Sequence, residues 1–363
     1  MTVDRDRGGS SERAMNAVGP ACPQNWYLMA QSGELAPGAI LARSLGAVDI
    51  VLFRGRDSGT VTAFAAHCAH AGCHLRHGAV VGDGLRCALH HRVMRADGAF
   101  IARDGSVLAT APQPRFPVIE RLGCIFVFAG TRASFDLPEP EICAAGPVTT
   151  RTLPAQSFPL AWSTLTSNGM DIDHLQAVHD RRMREPPTLR QIDTHRVRLD
   201  YCAAVTGRHL SDRVMKWISN DEIRASITCV GGSMMLVESR VGRHRTFVIL
   251  SMCPDAVAGS TVRAVVGVLG APDRIAARLS ARLAAWLFHA FLKKDVGVLD
   301  QMAWHEPEVE LTQGDGFTRR LCDFFRSLPA FQPASEPPRS QPTIRIEAPT
   351  VRGPALVAAG RRG

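Results

Sequence analysis

The chain has 363 residues and a mass of 39.3 kDa, with 45% hydrophobic and 21% charged residues, ordinary for a globular protein and long enough for two buried cores. A net charge of +8 raises the question of nucleic acid, but the positive charge is spread thinly as Arg, without a Lys/Arg run of nucleic-acid length, and only two Tyr are present; no nucleic-acid partner is expected. No run of about eighteen apolar residues occurs and the N-terminus lacks an apolar segment, so neither a membrane span nor a secretory leader is expected, and ten irregularly spaced Cys suit a reducing cytoplasm.

Residues 1–23 are rich in Arg, Gly and Ser and are expected to be disordered. From residue 24 to about 140, short apolar runs alternate with turn signals: Ile50–Phe53, the Asp57-Ser58-Gly59 turn, Val61–Ala65, the Asp97-Gly98 and Asp104-Gly105 turns, and the run Cys124–Phe128. Turn signals at such short intervals predict an all-β module. Leu137-Pro138-Glu139-Pro140 then reads as a linker.

Inside this module lie two clips, Cys68-Ala69-His70 and Cys87-Ala88-Leu89-His90, with sixteen residues between them. Two thiols and two imidazoles form a four-donor set for metal. Gly82-Asp83-Gly84, flanked by Val80-Val81 and Leu85-Arg86, reads as the turn of a hairpin that presents both clips at one end of a small sheet. A structural zinc ion also takes two Cys and two His, although zinc clips usually pair like with like at wider spacing. In a Rieske-type [2Fe–2S] centre two Cys hold one iron and two His the other, and the mixed clips suit that job. Arg76, Arg86, Arg92 and Arg95 flank the clips and would steer an acidic electron donor to them.

Residues 67–100, HCAHAGCHLRHGAVVGDGLRCALHHRVMRADGAF, resemble the cluster-binding region of Rieske proteins, and Asn25-Trp26-Tyr27 and Phe53–Gly59 resemble the start of Rieske non-haem iron oxygenases. The resemblance implies that Cys68, His70, Cys87 and His90 hold a [2Fe–2S] cluster. In the high-potential Rieske proteins of respiratory complexes, a Cys at the place of Cys73 pairs with another just before the second His. That second place is Leu89 here, so the resemblance points to the low-potential oxygenase branch. The family often has Gly-Trp after the second His; this chain has His91-Arg92.

A second domain is expected over residues 148–327. Asn168–His179 has the composition of a helix, and β-branched runs over Val197–Thr206, Ile223–Val230, Met234–Val237, Thr246–Met252 and Val262–Leu269 suit an antiparallel sheet. Pro272-Asp273 opens a helical segment in which Ile275, Leu279, Leu283, Leu287 and Phe291 recur every fourth position, a helix to fold over that sheet. Residues 328–363 read as a disordered tail. The fold class is α+β: an all-β Rieske [2Fe–2S] domain followed, as the resemblance implies, by a helix-grip catalytic domain.

Asp171, His174 and His179 make D-x-x-H-x-x-x-x-H. Two His and one carboxylate on one face commonly hold a mononuclear Fe(II) with open positions for O₂. On a regular helix, however, residues five apart point about 140° from each other. A break or a π-bulge between His174 and His179 is therefore required; without one, two such His are structural. The resemblance extends to this motif with Asn168. It implies that His174 and His179 ligate the iron, that Asp171 orients His174 and hydrogen-bonds His90 of the partner subunit, and hence that the assembly is a homotrimer. The carboxylate ligand it implies is Asp295, in Lys294–Asp300; Asp295 and Asp300 also read as solvated charges at a helix end, and Asp173 is a rival.

The implied function is that of a terminal oxygenase that acts on a small organic substrate and O₂ by hydroxylation, dealkylation or a related oxidation. Neither a dinucleotide fingerprint nor a plant-type C-x₄-C-x₂-C segment occurs, so a separate NAD(P)H-dependent reductase or ferredoxin is expected. A Rieske-type electron carrier needs only the first domain and leaves residues 150–320 without a role; a zinc-stapled binding protein is the other alternative. Met234, Met235, Leu236 and Phe247 read equally as pocket lining or as core.

Overall fold

β-branched and aromatic runs bounded by Gly and Asp turns dictate short strands in the first half of the chain. The computed structural model describes residues 22–332 apart from 103, 109 and 256–258. In chain order the first half carries β1 (Trp26–Gln31), β2 (Ile40–Leu45), β3 (Val48–Arg54), β4 (Val61–Ala65), β5 (Ala79–Val81) and β6 (Gly84–Arg86). It continues with β7 (Val93–Met94), β8 (Phe100–Ile101), β9 (Arg115–Phe116), β10 (Val118–Arg121) and β11 (Cys124–Phe128). They form three antiparallel sheets, ordered β1-β11-β10, β2-β3-β4-β9 and β5-β6-β7-β8. The expected hairpin is β5–β6, with one correction. Val81 pairs with Gly84, so the turn is Gly82-Asp83 alone, with Gly82 at φ 56°. Asp83 Oδ1 accepts from the backbone N of Asp57 and Ser58 at 3.2 and 2.9 Å, tying the tip of this hairpin to the β3–β4 turn.

The second half is built on one antiparallel sheet. Its strands are β12 (Val148–Thr152), β13 (Gln156–Phe158), β14 (Arg181–Met183), β15 (Thr188–Gln191) and β16 (Arg196–Val205). After these come β17 (Ile223–Val230), β18 (Met234–Val241), β19 (His244–Asp255) and β20 (Gly259–Leu269). The order is β12-β20-β19-β18-β17-β16-β14, with β13 on β20 and β15 on β16. Helices α1 (Trp162–Met170), α2 (Ile172–Ala177), α3 (Leu210–Ser219), α4 (Ile275–Leu299) and α5 (Gln313–Ser327) complete it. Asn168–His179 is thus not one helix but the junction of two.

Helix α4 lies across the sheet as expected, but not by the expected face. Ala277, Ala281 and Ala285 are buried, followed by Asp295 and Leu299, while Ile275, Leu279 and Leu283 are exposed. The reason is geometric. A row taken every fourth residue drifts about 40° per step, so five such residues sweep roughly 160° and cannot share one face. An 18-residue window of α4 reaches a mean hydropathy of 1.2, although its apolar residues are not consecutive. By length and composition alone the helix is long and apolar enough to cross a membrane; here it packs on β12 and β20.

The two halves share a hydrophobic core. Trp26, Leu28, Phe126 and Phe128 pack with Val230, Met234, Leu236, Phe247 and Val265. Leu137 belongs to the same core and is 4% exposed, so the Pro-rich stretch after β11 is pinned and is not an open linker. Fully buried Asn25 donates through Nδ2 to Val230 O at 2.8 Å and to Ser233 Oγ at 3.0 Å, which gives the Asn-Trp-Tyr stretch a structural role. The expected C-terminal tail needs trimming too. Phe331 N donates to Cys22 O at 2.7 Å and Gln24 N to Pro329 O at 2.9 Å, so residues 328–332 are hydrogen-bonded to the start of the described chain. Residues 1–21 and 333–363, expected to be disordered, lie outside the described residues.

Candidate metal centres

The two clip loops are folded by the same backbone pattern. In the first, Gly72 N donates to Cys68 O at 2.8 Å and Cys68 N to Cys73 O at 2.9 Å; in the second, His91 N donates to Cys87 O at 3.0 Å and Cys87 N to Arg92 O at 2.9 Å. Each loop needs a left-handed residue four places after its Cys, and these are Gly72 at φ 73° and His91 at φ 57°. Glycine takes that conformation without strain, whereas the Cβ of His does not. The His91 departure noted in the sequence therefore sits at the strained corner of the second loop.

These turns bring the two thiols beside each other and the two imidazoles beside each other, with a clear polarity. Cys68 and Cys87 are 3% and 2% exposed, whereas His70 and His90 are exposed and their rings meet edge to face, with centroids 4.9 Å apart. Burial pushes the Cys68 thiol up, against partial relief from the backbone N–H of His70, and the neighbouring Cys87 adds to the rise. A bound cation is what would make such a thiol a thiolate at neutral pH. Cys73 is a free thiol, as expected once Leu89 occupies the other position of the family disulfide. The donor set suits the two-Cys, two-His cluster.

The second constellation depends on the helix break. Asp171 ends α1 and caps α2, its Oδ1 accepting from the backbone N of Asp173 at 2.8 Å and of His174 at 3.1 Å. That corrects its expected role within the chain, because it caps the backbone and does not hydrogen-bond the His174 imidazole. Helix α2 stops at Ala177, and Asp180 at φ 53° turns the chain back. His174 Nε2 and His179 Nε2 then lie 3.1 Å apart, the convergence a continuous helix forbids. Asp295 Oδ1, from α4, completes the set at 2.8 Å from His174 Nε2 and 2.9 Å from His179 Nε2. Three donor atoms so spaced are what one octahedral face offers, since bonds of about 2.1 Å at right angles separate ligand atoms by about 3 Å. Asp173 instead accepts from Thr312 Oγ1 and ties α2 to α5, and Asp300 ends α4 exposed to solvent; neither joins the set.

The electrostatics favour the ligating forms. Burial lowers the pKa of His179, against the opposing pull of Asp295, which keeps the ring neutral at pH 7. Burial works against the Asp295 carboxylate, but the hydrogen bonds from His174 and His179 outweigh it and hold the carboxyl below its ordinary value. His179 is held by unusual means. Its Nδ1 is buried without a hydrogen-bond partner, while its ring stacks on Phe291 at a centroid distance of 3.5 Å and 6° between planes. Arg181 lies 5.8 Å over the same Phe291 ring and donates to His179 O at 2.7 Å. The sequence named Phe291 only as one residue of a packing row and did not single out Arg181. Its position two residues after His179 was the one available signal.

These three donors line a cavity of about 450 Å³ between the sheet and α4, walled by apolar side chains such as Phe158, Leu175, Ile227, Val266 and Phe288. Of the four apolar residues offered as lining or core, Met235 lines the cavity, and Met234, Leu236 and Phe247 belong to the core shared between the halves. Strand alternation divides them. The cavity reaches the surface where its lining becomes exposed, at Leu269, Leu283 and the Arg243–Arg245 corner of the β18–β19 hairpin.

Residues 25–112 match the model of the Rieske [2Fe-2S] domain. Among curated proteins, a cholesterol 7-desaturase of Bombyx mori is 27% identical over 180 residues, covering 48% of this chain and 39% of that protein. The alpha subunit of a phenoxybenzoate dioxygenase of Ectopseudomonas oleovorans is 30% identical over 133 residues, covering 34% and 32%. The chain thus spans less than half the length of these relatives. Among solved structures, dicamba monooxygenase bound to dicamba superposes with a TM-score of 0.64 at 18% identity, covering 85% of this chain and 97% of that one. The first part of the chain is a Rieske domain, which brings a [2Fe–2S] cluster, and the described residues have the α+β fold of that monooxygenase.

Proposed function

We propose that this relative of Rieske oxygenase components, with its cluster domain over residues 24–140 and a catalytic domain over 148–327, is a terminal oxygenase. The observation that carries the reading is the convergence of His174, His179 and Asp295 on the wall of an apolar cavity, in the same chain as a Rieske domain. Cys68, His70, Cys87 and His90 would hold the cluster, and His174, His179 and Asp295 the Fe(II). When bound, these groups supply single electrons and the activation of O₂.

The remaining work falls to the protein. The apolar wall binds and places an organic substrate and keeps bulk water from the reacting centre. Its volume and lining suit a mostly apolar small molecule, in keeping with the cholesterol that one relative is named for. Phe291 and Arg181 fix the plane of His179, and Asn168 Nδ2, 3.2 Å from His174 Nε2, contacts the other ring. Asp171 uses Oδ1 for its cap, which leaves its other oxygen for His90 of the partner subunit in a homotrimer. Electrons come from a separate NAD(P)H-dependent reductase or ferredoxin, steered by the exposed Arg76, Arg86 and Arg95.

The test is metal and sulfide stoichiometry with paramagnetic resonance on the purified protein, followed by oxygen uptake with a reductase and apolar candidate substrates. The expected result is a reduced-cluster signal plus one further iron per chain that is lost in a His174→Ala, His179→Ala double variant. A coloured protein lacking that further iron would make it an electron carrier instead.

A further inference from the structure

Helix α4 turns an apolar face to solvent beside the mouth of the cavity. Ile275, Leu279, Leu283 and Trp286 are 73%, 56%, 40% and 41% exposed. At about 100° per residue they occupy an arc of roughly 80° opposite the buried alanines. Exposed apolar faces of this extent on a helix mark interaction sites. The charge around this face is one-sided. Between Asp273 and Asp295 the chain has no Asp or Glu and five Lys/Arg, of which Lys294 is paired inward with Asp180 and Asp212. Arg274, Arg278 and Arg282 are exposed and form no ion pair among the described residues, and the same holds for Arg243 and Arg245 at the cavity mouth. Leu283 belongs to both surfaces, lining the cavity and facing solvent, so the outer apolar face adjoins the cavity mouth.

We propose that the outer face of α4 docks on the surface of a bilayer bearing anionic lipid headgroups. A helix with Leu, Ile and Trp on one side and Arg on its flank lies in the plane of the interface, its apolar side chains among the acyl chains and its guanidinium groups at the phosphates. The helix does not span the bilayer, because its opposite face packs on the sheet and carries Asp295. Docked in this way, the cavity mouth faces the membrane, and an apolar molecule dissolved in lipid enters without crossing water. Docking stands on the exposed residues alone. Its use for substrate delivery rests on the function proposed above, and the experiment reads docking only.

The full-length protein, with its bound cofactors, is sedimented with vesicles of phosphatidylcholine and with vesicles carrying about 30% phosphatidylglycerol. The expected result is binding to the anionic vesicles, weakened about tenfold or more on neutral ones and by raised salt. An Ile275→Asp, Leu279→Asp variant and an Arg278→Glu, Arg282→Glu variant should each lose about tenfold in affinity, with melting temperature and cluster absorbance unchanged. No sedimentation with anionic vesicles, or equal binding by both variants, overturns the proposal. A lower oligomer mass for the Ile275→Asp, Leu279→Asp variant also overturns it, since the face would then be a contact between copies.

Discussion

Every proposed cluster donor lies in the one hairpin region from Cys68 to His90, and its loops close on themselves through backbone hydrogen bonds four and five residues apart. The triad proposed to hold iron is built differently: His174 and His179 flank a helix end, and Asp295 reaches them from a helix 121 residues beyond His174. Local closure loses little chain entropy, whereas the triad exists only while α4 is docked on the sheet. The cluster should therefore tolerate damage to the second half, and the triad should not tolerate displacement of α4.

The largest expected effect follows directly. Asp295→Ala removes the one donor that α4 supplies and leaves two imidazoles 3.1 Å apart without a carboxylate. Turnover should fall by about a thousandfold or more, and one iron per chain should be lost. The reduced-cluster resonance should stay unchanged. Loss of that signal together with the iron would mean that the two centres fold as a unit and would remove the contrast between them.

Phe291→Ala tests the same dependence more gently. The ring is stacked on His179, whose Nδ1 has no hydrogen-bond partner to orient it. Supporting contacts to a metal-bound His are typically worth about 10- to 100-fold in metal affinity, and a loss in that range is expected on dialysis against a chelator. Phe291→Tyr, which keeps the plane of the ring, should bind iron as the parent does.

The different construction also explains what could be read in advance. The clips, their hairpin and the strand-rich first half are local patterns, and they were legible down to one residue of turn length. Asp171 was legible as a residue but not as a cap, because the junction between α1 and α2 appears only when Asp171 accepts from two backbone N–H groups. The break that lets His174 meet His179 was demanded by helix geometry, yet its form, a helix end followed by Asp180 at φ 53°, was not. The buried face of α4 was misjudged because its alanines carry little hydrophobic signal while its exposed leucines carry much. Which way such a helix turns is decided by the sheet beneath it.

Within the local half, the two loops serve as each other's control. His91 holds a left-handed conformation that Gly72 holds in the matching place, and no atom lies within 4 Å of a Cβ added at Gly72. Strain and not crowding is then at issue. His91→Gly should stabilise the protein by about 0.5–1 kcal/mol and Gly72→Ala destabilise it by a similar amount, after allowance for the greater freedom of glycine in the unfolded chain. Opposite shifts in melting temperature, followed by cluster absorbance, are the expected outcome; shifts of the same sign would show that the loops are not equivalent.

The smallest effect concerns pH and the pin that holds the β-sheets of the first half together. Arg54 of β3 makes a two-pronged contact with Glu120 of β10, Nη1 and Nη2 each donating at 2.8 Å, and it also donates to Leu35 O at 2.6 Å and Gly59 O at 2.8 Å. The hydrogen bonds from Arg54 hold the Glu120 carboxyl below its ordinary value. A group whose pKa is lower folded than unfolded contributes stability above its unfolded pKa, near 4.3 for Glu, and loses it as pH falls through the folded value. The carboxylate is partly solvated, so the contribution is at most about 1 kcal/mol. Glu120→Gln should therefore lower the melting temperature of the cluster-bearing half by a constant amount above about pH 5, with the difference closing below about pH 4. Because the pin joins strands of the first half only, the iron content of the catalytic site should not change. An equal loss of that iron on titration would place the pin in the long-range assembly and not in the local one.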